Sequence, residues 1–286
     1  MSFKNELCKL AKTSGSFKTI ADRIAIIERF LKQLQAENIQ VKAVNHLKAA
    51  HIQKYAQSRL GAGIGKRTIC NEMAAIRHVL REGGCINLAN GDKISNSNLG
   101  LDGSSRDGTK QAMPDDVFDA IADKVGKVDA GVEACMHLER ELGLRGLEAV
   151  RGSQSLKEWE KVLQKSNRID VIYGTKGGRH RETQVPDRAR ALAAVTRALT
   201  VAKNQGGRLI DKPDLKKAMS RYKYVLASNG AKGVHAPHSM RYSFAQKSLK
   251  TYRDIGNSEK DARAKTSINL GHGDGRGRYI VQVYEK

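Results

Sequence analysis

Apolar residues recur at helical spacing along most of this chain, and a single long stretch interrupts the pattern. Between residues 17 and 36, Phe17, Ile20, Ala21, Ile24, Ile27, Phe30, Leu31 and Leu34 fall at three- and four-residue intervals with charges between them, the signature of an amphipathic helix. Ile69, Met73, Ile76, Val79 and Leu80 repeat the pattern over 66–83, and Gly83-Gly84 stops it. A looser pattern of Val44, Leu47, Ile52, Tyr55 and Leu60 predicts a helix over 42–60, and a shorter helix over 3–12 precedes these. Residues 1–88 therefore read as a small helical domain. Residues 89–113, rich in Asn, Gly and Ser, lack periodicity and read as a linker. Pro114 then opens a second helical block, with Asp115 and Asp116 suited to a helix N-terminus.

That block, 114–286, contains one exception to helix. The β-prone runs 169–173 and 181–185 flank a glycine-rich basic turn, Gly174 to His180, and predict a β-hairpin. Residues 151–168 look helical, and helices are expected again over 187–204, 213–228, 238–251 and 258–269. The predicted fold is mainly α with a small β-hairpin, in two domains.

Charge narrows the function classes. The chain carries 51 Lys+Arg against 30 Asp+Glu, a net +21, with a pI near 9.9. Residues 1–110 contribute 18 against 9, net +9, and residues 111–286 contribute 33 against 21, net +12. Both halves are basic, as expected for a polyanionic partner whose phosphates release condensed counterions. Without an apolar run of about 18 residues, a signal peptide or a lipidation motif, a membrane is set aside and a cytoplasmic location expected. Cys8, Cys70, Cys85 and Cys135 include no C-x-x-C pair and are read as free core thiols of a reducing compartment.

Four segments of the second block concentrate polar residues that can do chemistry. Arg145 lies between Leu144 and Leu147, with Glu148 three residues on; the pair could also be purely structural. Lys176 lies in the glycine-rich turn, which could bring backbone close to a phosphate or simply be solvated. His238 and Arg241 stand three apart at a helix start behind Pro237, so they share a face; a capping histidine with an exposed arginine has the same spacing. His272 follows Gly271, and Tyr279 and Tyr284 follow it; most tyrosines are core contacts. Together these segments supply two arginines, a lysine, two histidines and a hydroxyl nucleophile. That set suits phosphoryl transfer at a DNA phosphodiester without metal or other cofactor. Arginine forks match the charged non-bridging oxygens, a general acid protonates the leaving 5′-oxygen, and a phenol can hold the phosphate covalently.

In their order and spacing these segments resemble the tyrosine recombinase, or phage integrase, family. Gly143-Leu144-Arg145 with Glu148 matches that family's first arginine box. Lys176, with Arg181, Val185 and Pro186 downstream, matches its hairpin lysine. His238-Ser239-Met240-Arg241 matches its histidine–arginine helix, and Leu270-Gly271-His272 its last histidine. The resemblance covers 114–286; over the N-terminal helices it is one of architecture. It implies a helical core-binding domain at 1–88, a linker at 89–113 and a mixed α/β catalytic domain at 114–286. It further implies that Arg145 and Arg241 clamp the scissile phosphate, Lys176 is the general acid, His238 assists as acid or base, His272 bonds a phosphate oxygen, and Glu148 supports the site.

The nucleophile implied by the resemblance is a tyrosine beyond His272. Relatives usually place it nine residues after that histidine, where this chain has Val281. The ending Gln282-Val283-Tyr284 matches the family's Q-I-Y and selects Tyr284 over Tyr279, with 273–278 absorbing an insertion. Only two residues follow Tyr284 here, which leaves no room in that place for the subunit-docking helix of many relatives, so either the subunit contact uses another segment or the natural chain is longer. The implied activity is site-specific cleavage and rejoining of double-stranded DNA through a 3′-phosphotyrosine and a Holliday junction, by four copies of the chain on two recombination sites. The alternatives are an inactive DNA-binding accessory factor of the same fold, a type IB topoisomerase-like enzyme and, more distantly, a zinc enzyme using His235, His238 and His272.

Overall fold

Short polar side chains set where many of the helices begin. Ser2 Oγ accepts from the Asn5 amide and Ser16 Oγ from the Thr19 amide, each at 3.3 Å, starting α1 (Phe3–Leu10) and α2 (Phe17–Ala36). The computed structural model describes residues 2–105 and 107–285. The chain divides into two units, Met1–Ser105 and Arg106–Lys286.

The first unit continues with α3 (Ala49–Gly61), α4 (Lys66–Glu82) and α5 (Ile86–Asn90). Its core gathers Leu7, Ile27, Phe30, Ile52, Tyr55, Ile69, Met73 and Leu80, each worth roughly 1.5–3 kcal/mol when fully removed from water. Phe30 and Tyr55 meet edge to face, with centroids 5.4 Å apart. Buried Glu72 ties three helices, accepting from Arg29 (2.6 Å), Arg59 (2.8 Å) and the Tyr55 hydroxyl (3.0 Å).

Two expectations are revised here. The helix predicted over 42–60 begins only at Ala49; Val44–His46 forms a single 3₁₀ turn. Val44 and Leu47 reach the core from that turn, so their spacing belongs to a different element from that of Ile52 and Tyr55. The stretch 89–105, read as part of the linker, packs on this unit: Ala89, Ile94, Leu99 and Leu101 are all buried in its core. Four apolar residues are enough to anchor a segment whose composition is otherwise that of a loop.

The second unit is built around α7 (Ala130–Leu142), whose last eleven positions but one are buried. α6 (Asp115–Val128), α10 (Arg188–Asn204) and α12 (His238–Asp254) pack about it, which explains why its apolar residues do not follow a single stripe. α8 (Gly146–Arg151), α9 (Leu156–Leu163), α11 (Leu215–Ser228), α13 (Glu259–Asn269) and α14 (Gly277–Tyr284) complete the helices. The hairpin pairs β1 (Arg168–Val171) with β2 (Arg181–Gln184) antiparallel, Arg168 opposite Gln184 and Val171 opposite Arg181. The Trp159 indole donates to the Asp170 carbonyl at 2.7 Å, fastening α9 to β1.

α14 was not anticipated: its glycine- and arginine-rich approach reads as a loop, and the helix forms because Ile280, Val283 and Tyr284 are buried together with Tyr242, Phe244 and Leu249. Cys135 is buried, while Cys8, Cys70 and Cys85 are half-buried; all four are free thiols. None of the described helices is long and apolar enough to cross a membrane.

Candidate active site

Two helix ends create the floor of the site. α7 stops at Gly143, which has φ 64°, and a Cβ there would lie 2.5 Å from the Phe244 ring, so glycine is required by both conformation and space. α13 stops at Asn269 with Leu270 as its cap. Carbonyls at helix C-termini lack intrahelical partners and carry partial negative charge. Here Gly143 and Leu270 present theirs to guanidinium groups. Arg241, fully buried on α12, donates through Nη1 to Gly143 O and through Nη2 to Leu270 O. Arg145 Nη2 donates to the same Leu270 carbonyl (3.3 Å), and Arg181 Nη2 to the same Gly143 carbonyl (3.3 Å).

Glu148 compensates this positive charge. Both its oxygens accept from Arg181 (2.7 and 2.9 Å), and it also accepts from Arg145 Nη1 (2.7 Å) and the Arg145 amide (2.8 Å). The last bond makes Glu148 the N-terminal cap partner of α8 as well as the counter-ion. Burial alone would raise its pKa, but the bonds from Arg181 and the charges of Arg181, Arg145 and Arg241 prevail and hold it at about 2. Arg241 is pushed down to about 10 by burial and by Arg145 and Arg181, and so keeps its charge at neutral pH. Its Nε is buried with no hydrogen-bond partner among the described residues.

The predicted tyrosine lies beside this cluster. Tyr284 is fully buried at the end of α14, its hydroxyl 3.2 Å from His272 Nε2. His238 and Tyr242 flank it, with centroids 6.4 and 4.6 Å from its ring. Burial and the charges of Arg241 and Arg145 push His272 down to about 3. His238, although partly exposed, is lowered to about 4 by desolvation and by the charges of Arg241, Arg145 and Lys110. Both imidazoles are therefore neutral at physiological pH. Tyr279 packs on His272 with centroids 4.7 Å apart, but the hydroxyl bond to that histidine belongs to Tyr284. Of the six predicted site residues, Arg145, His238, Arg241, His272 and Tyr284 come together. Lys176 stands exposed in the hairpin turn, with no bond among the described residues to the other five.

A strap over the tyrosine helix completes the surroundings. The Gly108 amide donates to Gln282 O (3.1 Å), and Gln282 Nε2 donates to Asp107 (3.1 Å). Lys110 Nζ donates to Gly233 O (2.8 Å). A Cβ on Gly108 would strike the Val283 carbonyl and lie 2.6 Å from the Tyr242 hydroxyl.

Two participants, Tyr242 and Glu139, escape a reading of the sequence, and a third, Arg181, is read there only as a residue downstream of Lys176 with no role of its own. Arg181 looks like an ordinary strand residue, although period-2 alternation places it on the inner face with Thr183. Tyr242 is masked by its neighbour Arg241. Glu139 is buried beneath the site, where it accepts from the Tyr222 hydroxyl; burial raises it to about 8 despite that bond and the Arg241 charge. No sequence signal distinguishes it from a solvated helix glutamate.

Comparison with known proteins agrees with this fold. Residues 100–247 match the family model described as "Integrase", and residues 1–89 match "Phage integrase, N-terminal". No curated protein matches the sequence. Among solved structures, the chain is similar to the integrase of transposon Tn1549 in complex with circular-intermediate DNA, at 15% identity and TM-score 0.58 over 99% of this chain and 95% of that one. It is also similar to the same integrase in complex with transposon right-end DNA, at 14% identity and TM-score 0.56 over the same shares. With one model matching more than half its length and a second matching its N-terminal domain, the chain belongs to the phage integrase, or tyrosine recombinase, family.

Proposed function

We propose that this protein is a site-specific DNA recombinase in which Tyr284 is the nucleophile. The observation that carries this function is the position of the Tyr284 hydroxyl, 3.2 Å from a neutral His272 and in the field of Arg145 and Arg241. With His272 protonated at Nδ1, its Nε2 accepts the phenol proton as Tyr284 Oη attacks phosphorus. The P–O5′ bond breaks, leaving the 3′-phosphate on the tyrosine and a 5′-hydroxyl on the released strand. Arg145 and the unpartnered Nε–H of Arg241 meet the non-bridging oxygens, where charge builds in the transition state. His238, whose ring centroid lies 6.4 Å from that of Tyr284, assists in proton transfer. Lys176 protonates the leaving oxygen after the hairpin turn moves onto DNA, a motion that glycines at 174, 177 and 178 permit.

Rejoining is the reverse reaction with another strand's 5′-hydroxyl. The net +21 charge supports duplex DNA as partner, and exchange between two sites implies four copies at a Holliday junction. The proposal is tested by incubating the protein, in chelator, with nicked duplexes carrying a candidate recombination site. A DNA-linked band that survives denaturation is expected. Its absence, with the same duplexes bound, would favour an accessory DNA-binding protein.

A further inference from the structure

Tyr284 is the last residue of α14, and the side chain just beyond it is held in a ring of charge. Glu285 accepts from Arg253 Nη2 (2.9 Å) and, on both oxygens, from Arg263 Nε (3.1 Å each). The same two arginines hold Glu259: Arg253 Nε donates to it at 2.6 Å, and Arg263 Nη2 lies 3.2 Å from it. Each arginine therefore touches both carboxylates, and the four charges alternate in sign. Arg253 belongs to α12, which begins with His238 and Arg241. Glu259 and Arg263 belong to α13, which leads to His272. The ring thus joins α12, which carries His238 and Arg241, and α13, which leads to His272, to the end of α14, which carries Tyr284.

The ring meets a need of α14. Eight residues are too few for a helix to be stable by itself, and no basic side chain of its own last turn offsets the exposed carbonyl end. The Glu285 amide bonds back to Ile280 O at 3.3 Å. Isolated surface ion pairs contribute little, but a network around a shielded carboxylate contributes more; the Glu285 side chain is only 15% exposed.

We propose that Glu285 is a positioning residue: gripped by Arg253 and Arg263, it pins the last turn of α14 so that the Tyr284 hydroxyl is held at His272 before DNA arrives. The proposal rests on Tyr284 as the nucleophile. It assigns Glu285 no contact with DNA and no part in proton transfer.

The test uses the full chain with Glu285→Gln, the pair Arg253→Gln/Arg263→Gln, all three changes together, and Glu285→Asp. Hydrogen exchange of peptides spanning 277–285 is followed in the free protein. Single-turnover formation of the covalent adduct, and Kd, are measured on one nicked duplex that the wild type attacks. Glu285→Gln and the arginine pair should each speed exchange in the last turn by about fivefold. They should slow adduct formation by about tenfold at unchanged Kd, with no further loss when combined. Glu285→Asp should recover part of the rate. Unchanged exchange, or losses that simply add, would overturn the proposal. An adduct formed by Tyr284→Phe protein would overturn the nucleophile assignment instead, and the two failures are separable because the exchange measurement involves no DNA.

Discussion

Arg181 and Glu148 form a two-pronged ion pair inside the protein, at 2.7 and 2.9 Å, with the carboxylate wholly out of water and the guanidinium nearly so. Arg145 leans on the same carboxylate. One buried acid thus sets the orientation of two arginines of the candidate site. Removing one partner of a buried pair strands the other charge, so Glu148→Gln should destabilise the fold by about 3–5 kcal/mol, read from urea unfolding at pH 7. Because the folded-state pKa of Glu148 is depressed, to about 2, its contribution is fully present above the ordinary carboxylate range and disappears as pH falls through that range toward 2. The variant should therefore converge on the wild type in acid. A constant gap from pH 7 to pH 2 would contradict this.

Glu139, a few residues away on α7, has the opposite sign. Its pKa is raised to about 8, so stability is fully present below the ordinary carboxylate range and is lost as pH rises through 8. Glutamine mimics the protonated acid and can still accept from Tyr222. Glu139→Gln should match the wild type near pH 5 and exceed it in unfolding midpoint at pH 9. Destabilisation at pH 9 would show that the carboxylate is needed in its charged form.

Lys176 stands apart from the other five residues, and its proposed role is confined to the leaving group. Lys176→Ala should slow cleavage of ordinary DNA by about 10²–10⁴-fold, the span of general acid catalysis. A substrate with sulfur in place of the bridging 5′-oxygen leaves as a thiolate and needs no proton, so the variant should cleave it at nearly the wild-type rate. An equal deficit on both substrates would assign Lys176 to phosphate binding.

Gly108 bears on the tyrosine helix through the strap. A methyl group there collides with the backbone carbonyl of Val283, one residue before Tyr284. Overpacking of this kind costs about 1–3 kcal/mol. Gly108→Ala should lower the melting temperature and slow adduct formation, whereas Gly177→Ala, where a Cβ meets open space, should not reproduce the effect on α14 seen by hydrogen exchange.

Much of this architecture was legible in the sequence because it depends on local signals. α2 and α4 follow their apolar spacing closely, and the hairpin follows its β-prone runs and glycine turn. The candidate residues Arg145, His238, Arg241 and His272 sit at helix starts and ends, where capping signals are strong. What stayed hidden depends on contacts far apart in the chain. α14 forms because Tyr284 packs on Tyr242, 42 residues earlier, and nothing in its own approach signals a helix. The segment 89–105 joins the first unit through Leu99 and Leu101, whose partners are helices read separately. The separation of Lys176 from the arginines likewise follows from where the hairpin turn points, which spacing does not encode.

The central claim is that Tyr284 carries the DNA. Covalent adduct formed on a nicked duplex, digested with protease and nuclease and mapped by mass spectrometry, tests it most directly. The nucleotide should reside on the peptide containing Tyr284, and Tyr284→Phe should abolish the adduct while Tyr279→Phe retains it. A nucleotide on Tyr279, or an adduct that survives Tyr284→Phe, would contradict the account.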